Sequence, residues 1–316
     1  MNILIIGAGG FIGSHLSERI LKDHKNWRVT GIDISSKKIE QILGEKNFEF
    51  IKADIMKDLD LVEERVKACD VVFPLAAVAN PKVYVDDPLR VFELDFEANL
   101  RIVRWAVKYK KRLIFPSTSE VYGMCEDEEF DEETSNCVTG PICKQRWIYS
   151  CCKQLLDRVI YAYGIRDGLR YTLFRPFNWY GPRLDDIDNP NPGSSRVYTQ
   201  FMSAIKHGKD IQLVDGGDQI RCFTPISEGI DALMKILENE DKADKRIFNI
   251  GNPDNMMSIK ELAYKLLEEA KYDPTRREMA DRVRVVSVKS SEYYGEGYQD
   301  VKRRVPRARA APQLLL

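Results

Sequence analysis

The chain has 316 residues, 44% of them hydrophobic, which is enough to bury one large core or two smaller ones. Its 48 basic and 49 acidic side chains leave a formal net charge of −1, so no global field draws it onto nucleic acid or anionic lipid, and a small-molecule role is expected. No apolar stretch has the length of a signal core or membrane span, which predicts a cytoplasmic protein; seven cysteines without a C-x-x-C pair and three scattered histidines argue against a zinc site or a disulfide framework.

Apolar runs bounded by turn residues stand at 3–7, 29–33, 48–54, 71–77, 112–118 and 171–177, separated by segments with apolar residues at helical spacing. This rhythm predicts an α/β fold, a Rossmann-type doubly wound parallel sheet wrapped by crossover helices. The first run opens into GAGGFIGSHL, where Gly7, Gly10 and Gly13 let a turn close, let backbone approach a pyrophosphate and let helix pack on strand. Asp33 ends the second run twenty residues beyond Gly13, where a carboxylate binds two ribose hydroxyls and repels the extra phosphate of NADP; NAD is therefore the expected cofactor. Lys37 and Lys38 read as solvated helix charges, and Asp54 and Ile55, ending the third run, either cover the adenine or cap a helix.

The run at 112–118 leads into PSTSEVYG, setting Thr118, Ser119 and Glu120 at the carboxyl edge of the sheet, where doubly wound folds bind ligands. In the helix-like RWIYSCCKQLL that follows, the adjacent Cys151 and Cys152 cannot close an ordinary disulfide without severe strain and are expected to be reduced packing residues. Tyr149 and Lys153 instead share a helix face, and a lysine ammonium beside a phenol favours the phenolate, a working general base. After residue 175 the pattern loosens into a Pro, Gly and Asn rich stretch at 181–195, long enough to suggest function. Helix-like segments at 197–208, 226–239 and 259–270 and a strand-like one at 211–216 then predict a smaller lobe. The division expected is 1–175 for the nucleotide-binding domain and 176–316 for the substrate lobe, with interleaved boundaries.

Taken together, the glycine motif, STSEVYG and Tyr-x-x-x-Lys resemble the extended short-chain dehydrogenase/reductase family, whose tyrosine, lysine and hydroxyl residue work on nucleotide sugars. The blocks STSEVYGM, KQRWIYSCCKQLLDRVIYAYG, LFRPFNWYGPRLD, VDGGDQIRCFT and YYGEGYQDVKRR look like the UDP-glucuronic acid decarboxylases of that family, over Met1 to about Pro306. Ser119-Glu120 fits decarboxylases, since related 4,6-dehydratases usually carry Asp-Glu after the threonine and 4-epimerases usually lack the glutamate. The resemblance implies oxidation of UDP-glucuronic acid at C4 and loss of CO2, the 4-keto-pentose being either released or reduced to UDP-xylose. It implies catalytic roles for Tyr149, Lys153, Thr118, Ser119, Glu120 and Arg304. NAD contacts would come from Phe11, Ile12, Leu75, Ala76 and Lys153 beside the glycines, Asp33, Asp54 and Ile55. Substrate contacts would come from Ala79, Tyr84, Arg146, Asn178, Arg196, Arg221 and Tyr298. A homodimer through helices at 89–109 and 149–163 is implied as well. Competing readings are a UDP-apiose/xylose synthase, another nucleotide-sugar epimerase or dehydratase, and a catalytically silent NAD-binding protein. The chain departs from the pattern at Pro225, where relatives usually have an aspartate nearby, and in its ending RVPRARAAPQLLL; with no formyltransferase domain ahead of Met1, no formylation of an amino sugar is expected.

Overall fold

In the computed structural model the described residues are 1–191 and 195–307; most of the atypical ending, 308–316, lies outside them. Strands β1 (Asn2–Ile6), β2 (Arg28–Asp33), β3 (Phe48–Lys52), β4 (Val71–Pro74), β5 (Arg112–Pro116) and β6 (Tyr171–Pro176) join a strand at Arg246–Ile250 in one parallel sheet. The spatial order, starting from Arg246–Ile250, is β6, β5, β4, β1, β2, β3. Every residue of β4 and β5 is buried, as expected of parallel strands covered on both faces. Chain direction reverses its march across the sheet between β1 and β4, and the crevice at that switch point is where such sheets bind ligands.

The covering helices are α1 (Phe11–Asp23), α2 (Leu59–Ala68), α3 (Pro81–Asp86), α4 (Pro88–Val91), α5 (Asn99–Lys108) and α6 (Trp147–Arg166). Where the spacing predicts one helix over 89–109, the structure inserts a π-helical stretch, Phe92–Ala98, between α4 and α5. Its wider turn accompanies the burial of two polar side chains, Asp95 and Asn99, on an otherwise apolar face.

The helix at Ile226–Glu238, expected in the smaller lobe, packs instead on α1: its Ile230, Leu233 and Leu237 share a core with Leu16 and Ile20. With the strand Arg246–Ile250 it returns the chain to the large sheet after the smaller lobe has begun. That lobe has its own core, Phe201 and Ile205 of helix Val197–Lys206 against Leu262 and Leu266 of helix Ile259–Tyr272. In it, strand Ile220–Cys222 lies between Met256–Ser258 and Arg303–Arg304, with Arg304 opposite Arg221. Lys37 and Lys38 occupy a turn, not a helix, and Lys38 is half-buried, its ammonium donating to the Leu184 carbonyl at 3.2 Å because the 181–191 loop folds back over it. Pro225 leads directly into Ile226–Glu238. Among the described residues no helix is long and apolar enough to cross a membrane.

Gly229 is the point where that returning helix meets the switch between lobes: a Cβ there would lie 2.7 Å from three carbons of the Trp179 indole. The indole is buried and held by its hydrogen bond to the Ile250 carbonyl at 2.9 Å. Gly229→Ala should therefore overpack the joint and destabilise the fold by about 1–3 kcal/mol, read as a fall in the denaturant midpoint at unchanged slope.

Candidate active site

Loops leaving the carboxyl ends of β1, β2, β4 and β5 build the site. After β1 the backbone turns at Gly7 with φ +91°, and a Cβ there would lie 2.7 Å from the Ala76 nitrogen and 2.9 Å from the Leu75 carbonyl carbon. At Gly13 a Cβ would meet the Gly7 carbonyl oxygen at 2.2 Å, so helix and turn touch only because no side chain intervenes. Gly10 caps α1, whose first turn carries Phe11 and Ile12 against the core. A glycine that motif spacing did not single out, Gly9, is as constrained: its Cβ would meet the Ser35 carbonyl at 2.0 Å, and its N–H donates to Asp33 Oδ2 at 2.9 Å. Asp33 closes β2, and burial raises its carboxyl above the ordinary range. Leu75 and Ala76 follow β4, and the Ala76 carbonyl accepts from Asn99 at 3.1 Å. Asp54 lies just past β3, which pairs with β2; its side chain takes the Met56 N–H at 2.9 Å, and Ile55 is buried in the core.

The catalytic candidates gather where β5 ends. Thr118 caps a one-turn 3-10 helix, Ser119–Tyr122, its hydroxyl accepting from the Glu120 N–H at 3.2 Å, and all three of Thr118, Ser119 and Glu120 are buried. Tyr149 and Lys153 do share a face of α6. The Tyr149 ring stacks on Tyr84 with centroids 4.7 Å apart and planes 8° off parallel, and its phenol is hydrogen-bonded to Thr118. Lys153 is 1% exposed, its ammonium 3.0 Å from the Pro116 carbonyl and 5.9 Å from the Tyr149 ring centre. Burial first, then Asp95 and Glu120, push the phenol above its ordinary value, while Thr118 pulls it down; burial lowers Lys153, with Asp95 opposing. Asp95 is thus a further member of the site, its Oδ1 accepting from Val78 N–H at 2.7 Å, its Oδ2 without a protein partner, its carboxyl pushed up by burial to about 6. Cys151 and Cys152 are free, one exposed and one buried. Among the described residues no group of three His, Cys, Asp or Glu side chains is arranged to hold a metal.

Three arginines converge on the other side. Arg304 Nη1 donates to Glu120 Oε1 at 3.0 Å, and Arg146 Nη2 stands 3.0 Å from Oε2, within ion-pair reach but not aligned for a hydrogen bond. Arg146 is 1% exposed, with its guanidinium 4.7 Å from the Trp147 ring centre and 5.6 Å from that of Tyr298. Arg221 Nη2 is held by Asp300 Oδ1 at 2.9 Å. Buried N–H groups at Arg146 Nε, Arg146 Nη1 and Arg304 Nε have no protein partner, so the cluster keeps unused donors for an anion. Burial alone would raise the Glu120 carboxyl, yet Arg146, Arg304 and Arg221 outweigh it and hold it below the usual range. Asn178, at φ +40°, commits its amide N–H to the Cys222 carbonyl at 3.1 Å. Arg196 pairs with Asp185 at 2.6 Å and stays half exposed, while Ala79 follows β4 close to Tyr84.

Because the folded Glu120 carboxyl titrates below its ordinary value near 4.5, its ion pairs stabilise the protein fully above that pH, and the contribution is lost as pH falls through the lower folded value. Glu120→Ala strands two buried guanidinium groups and should cost about 3–5 kcal/mol at neutral pH. Urea midpoints recorded from pH 7 to 3 should show that penalty shrinking on acidification.

A model of the family described as NAD dependent epimerase/dehydratase matches residues 3–251. The crystal structure of PbgP3 protein from Burkholderia pseudomallei is 51% identical with a TM-score of 0.88, covering 99% of this chain and 90% of that one. UDP-glucuronic acid 4-epimerase from Bacillus cereus, solved with UDP-glucuronic acid and NAD, shares the fold at 22% identity and TM-score 0.80, over 100% of this chain and 93% of that one. So does dTDP-glucose 4,6-dehydratase from Bacillus anthracis in complex with NAD, at 19% identity and TM-score 0.77, over 99% and 89%. The side-chain-free cradle at Gly7, Gly9 and Gly13, closed by a carboxylate at Asp33, fits the adenosine diphosphate half of that cofactor. On the strength of that fit and of the family match, this chain belongs to the NAD-dependent epimerase/dehydratase family, with NAD as its cofactor.

Proposed function

We propose that the protein oxidises UDP-glucuronic acid at C4 and decarboxylates it to UDP-4-keto-pentose and CO2. The observation that carries this reading is the buried Glu120 between Arg146 and Arg304, whose guanidinium groups keep buried N–H donors without a protein partner. An oxidation at C4 needs a base; a decarboxylation needs, in addition, cations that hold the sugar carboxylate and then the charge it leaves behind. The sequence blocks shared with UDP-glucuronic acid decarboxylases support the same substrate, and the Bacillus cereus epimerase shows that the fold accommodates UDP-glucuronic acid beside NAD.

In this reading Gly7, Gly10, Gly13, Phe11, Ile12, Leu75, Ala76, Asp33, Asp54 and Ile55 hold the cofactor, which supplies the hydride acceptor. Tyr149 takes the C4 hydroxyl proton, helped by Thr118 and by the Lys153 ammonium, as C4 becomes a ketone. The C6 carboxylate is then that of a β-keto acid. Its bond to C5 breaks, the electron pair passes to the C4 oxygen as an enolate, and CO2 leaves. Arg304, with Glu120 and Ser119, is assigned the enolate and the return of a proton to C5. Ala79, Tyr84 and Asn178 bind the sugar nucleotide, Arg146 holds the carboxylate, Arg221 and Arg196 suit the diphosphate, and Tyr298 closes against Arg146. A homodimer is expected through the helical segments 89–109 and 149–163; on α6, Leu155, Tyr161 and Ile165 are exposed.

Incubation with UDP-glucuronic acid and NAD⁺ should release CO2 and yield either NADH with a keto-pentose or UDP-xylose without net NADH; an intact or merely epimerised hexuronate overturns the reading. Tyr149→Phe should lower turnover by about 10²–10⁴ while NAD affinity stays within about twofold. Since burial, then Asp95, push the phenol above its ordinary value, the wild-type rate of C4 oxidation should rise with pH, and the variant should lose that rise.

A further inference from the structure

Behind the turn that carries Thr118, Ser119 and Glu120 lies a second set of buried polar groups with no part in the proposed chemistry. Asp157 sits one helical turn beyond Lys153 on α6, and its Oδ2 accepts from Ser117 Oγ at 2.7 Å and from Arg175 Nη2 at 3.1 Å. Arg175 Nη1 donates to the Tyr122 hydroxyl at 2.7 Å. Ser117 and Tyr122 bracket the catalytic turn, so one buried ion pair holds both of its ends.

The chain of contacts continues. The Tyr122 hydroxyl donates to Asn249 Oδ1 at 2.8 Å, and Asn249 Nδ2 donates to the Phe130 carbonyl at 2.8 Å. Phe130 N–H donates to the Val305 carbonyl at 2.8 Å, and Arg307 N–H donates to the Phe130 carbonyl at 2.9 Å. These last two contacts fall immediately after Arg304. Asp157, Arg175, Tyr122 and Asn249 are all buried, where each hydrogen bond is costly to leave unmade. On the outer flank the pair borders a cavity of about 1250 Å³, also lined by Arg158, Tyr161, Phe248 and Arg307.

We propose that Asp157 and Arg175 are positioning residues, a clamp that fixes both ends of the catalytic turn and, through Tyr122, Asn249 and Phe130, the backbone that presents Arg304 to Glu120. The catalytic readout of this clamp rests on the proposed decarboxylation; its structural readout does not. Two variants cut it at different depths: Tyr122→Phe removes the hydroxyl hub, and Arg175→Lys keeps the charge but loses the fork.

In both, amide hydrogen exchange at Phe130 and Arg307 should accelerate at least about tenfold, while the amides of α6 keep their protection. In single turnovers with UDP-glucuronic acid labelled at the carboxyl carbon, CO2 release should slow at least about tenfold and by more than hydride transfer, which feels the turn only through Thr118, so that a six-carbon 4-keto intermediate accumulates. Unchanged exchange at those two amides overturns the clamp, and an equal loss of both chemical steps overturns its positioning role. Should Tyr122→Phe fail to fold, Arg175→Lys decides by the same measurements. If the wild-type protein turns over UDP-glucuronic acid without releasing CO2, the reaction assignment fails, and the clamp stands or falls on the exchange data alone.

Discussion

Glu120 is a carboxylate almost wholly removed from water, and it can stay ionised there only because Arg146 and Arg304 face its two oxygens. Either arginine without it would be a buried charge short of a counterion, and the carboxylate without them would take up a proton. The three groups arrive from three places: the turn after β5, the residue ahead of α6, and the short strand Arg303–Arg304. Mutual need therefore ties the large sheet, its longest helix and the smaller lobe to one point. The remaining polar contacts at that junction, Arg221 with Asp300 and Trp147 with Gln299, reinforce a geometry this trio already demands.

The nucleotide end obeys a different constraint, one of volume. Three glycines stand where a methyl group would overlap backbone, so the turn after β1 lies directly against the chain leaving β2 and β4 and against the start of α1, with Asp33 at its edge. Nothing there depends on charge pairing. The two halves of the site are thus stabilised by unrelated physics, steric permission on one side and electrostatic necessity on the other, and meet at Tyr149 and Lys153.

What is legible in the sequence follows from range. Gly7, Gly13, Asp33, Tyr149 and Lys153 announce themselves because their partners lie on the same or the next element, where spacing fixes geometry. The alternation of apolar runs likewise reveals the parallel sheet, including β6. The pairing of Glu120 with Arg304 spans 184 residues and has no local signature; only resemblance drew attention to Arg304. Asp95 sits in a stretch whose helical period hides the π turn that buries it, and Lys38 reads as solvent-facing until the loop beyond residue 181 covers it. The helix at Ile226–Glu238 carries a strong apolar face, but no pattern within it says that the face belongs to α1.

The strand Arg303–Arg304 pairs with Ile220–Cys222 and delivers the last member of a trio whose other two stand at residues 120 and 146. Closing that loop carries an entropic cost, growing only slowly with its length, that is recovered only once the strand is seated. A growing polypeptide can therefore complete its glycine cradle from residues 1–76 while the carboxylate trio is still missing a member. Order along the chain thus separates the two halves of the site: every residue of the glycine cradle is synthesised before the last member of the carboxylate trio.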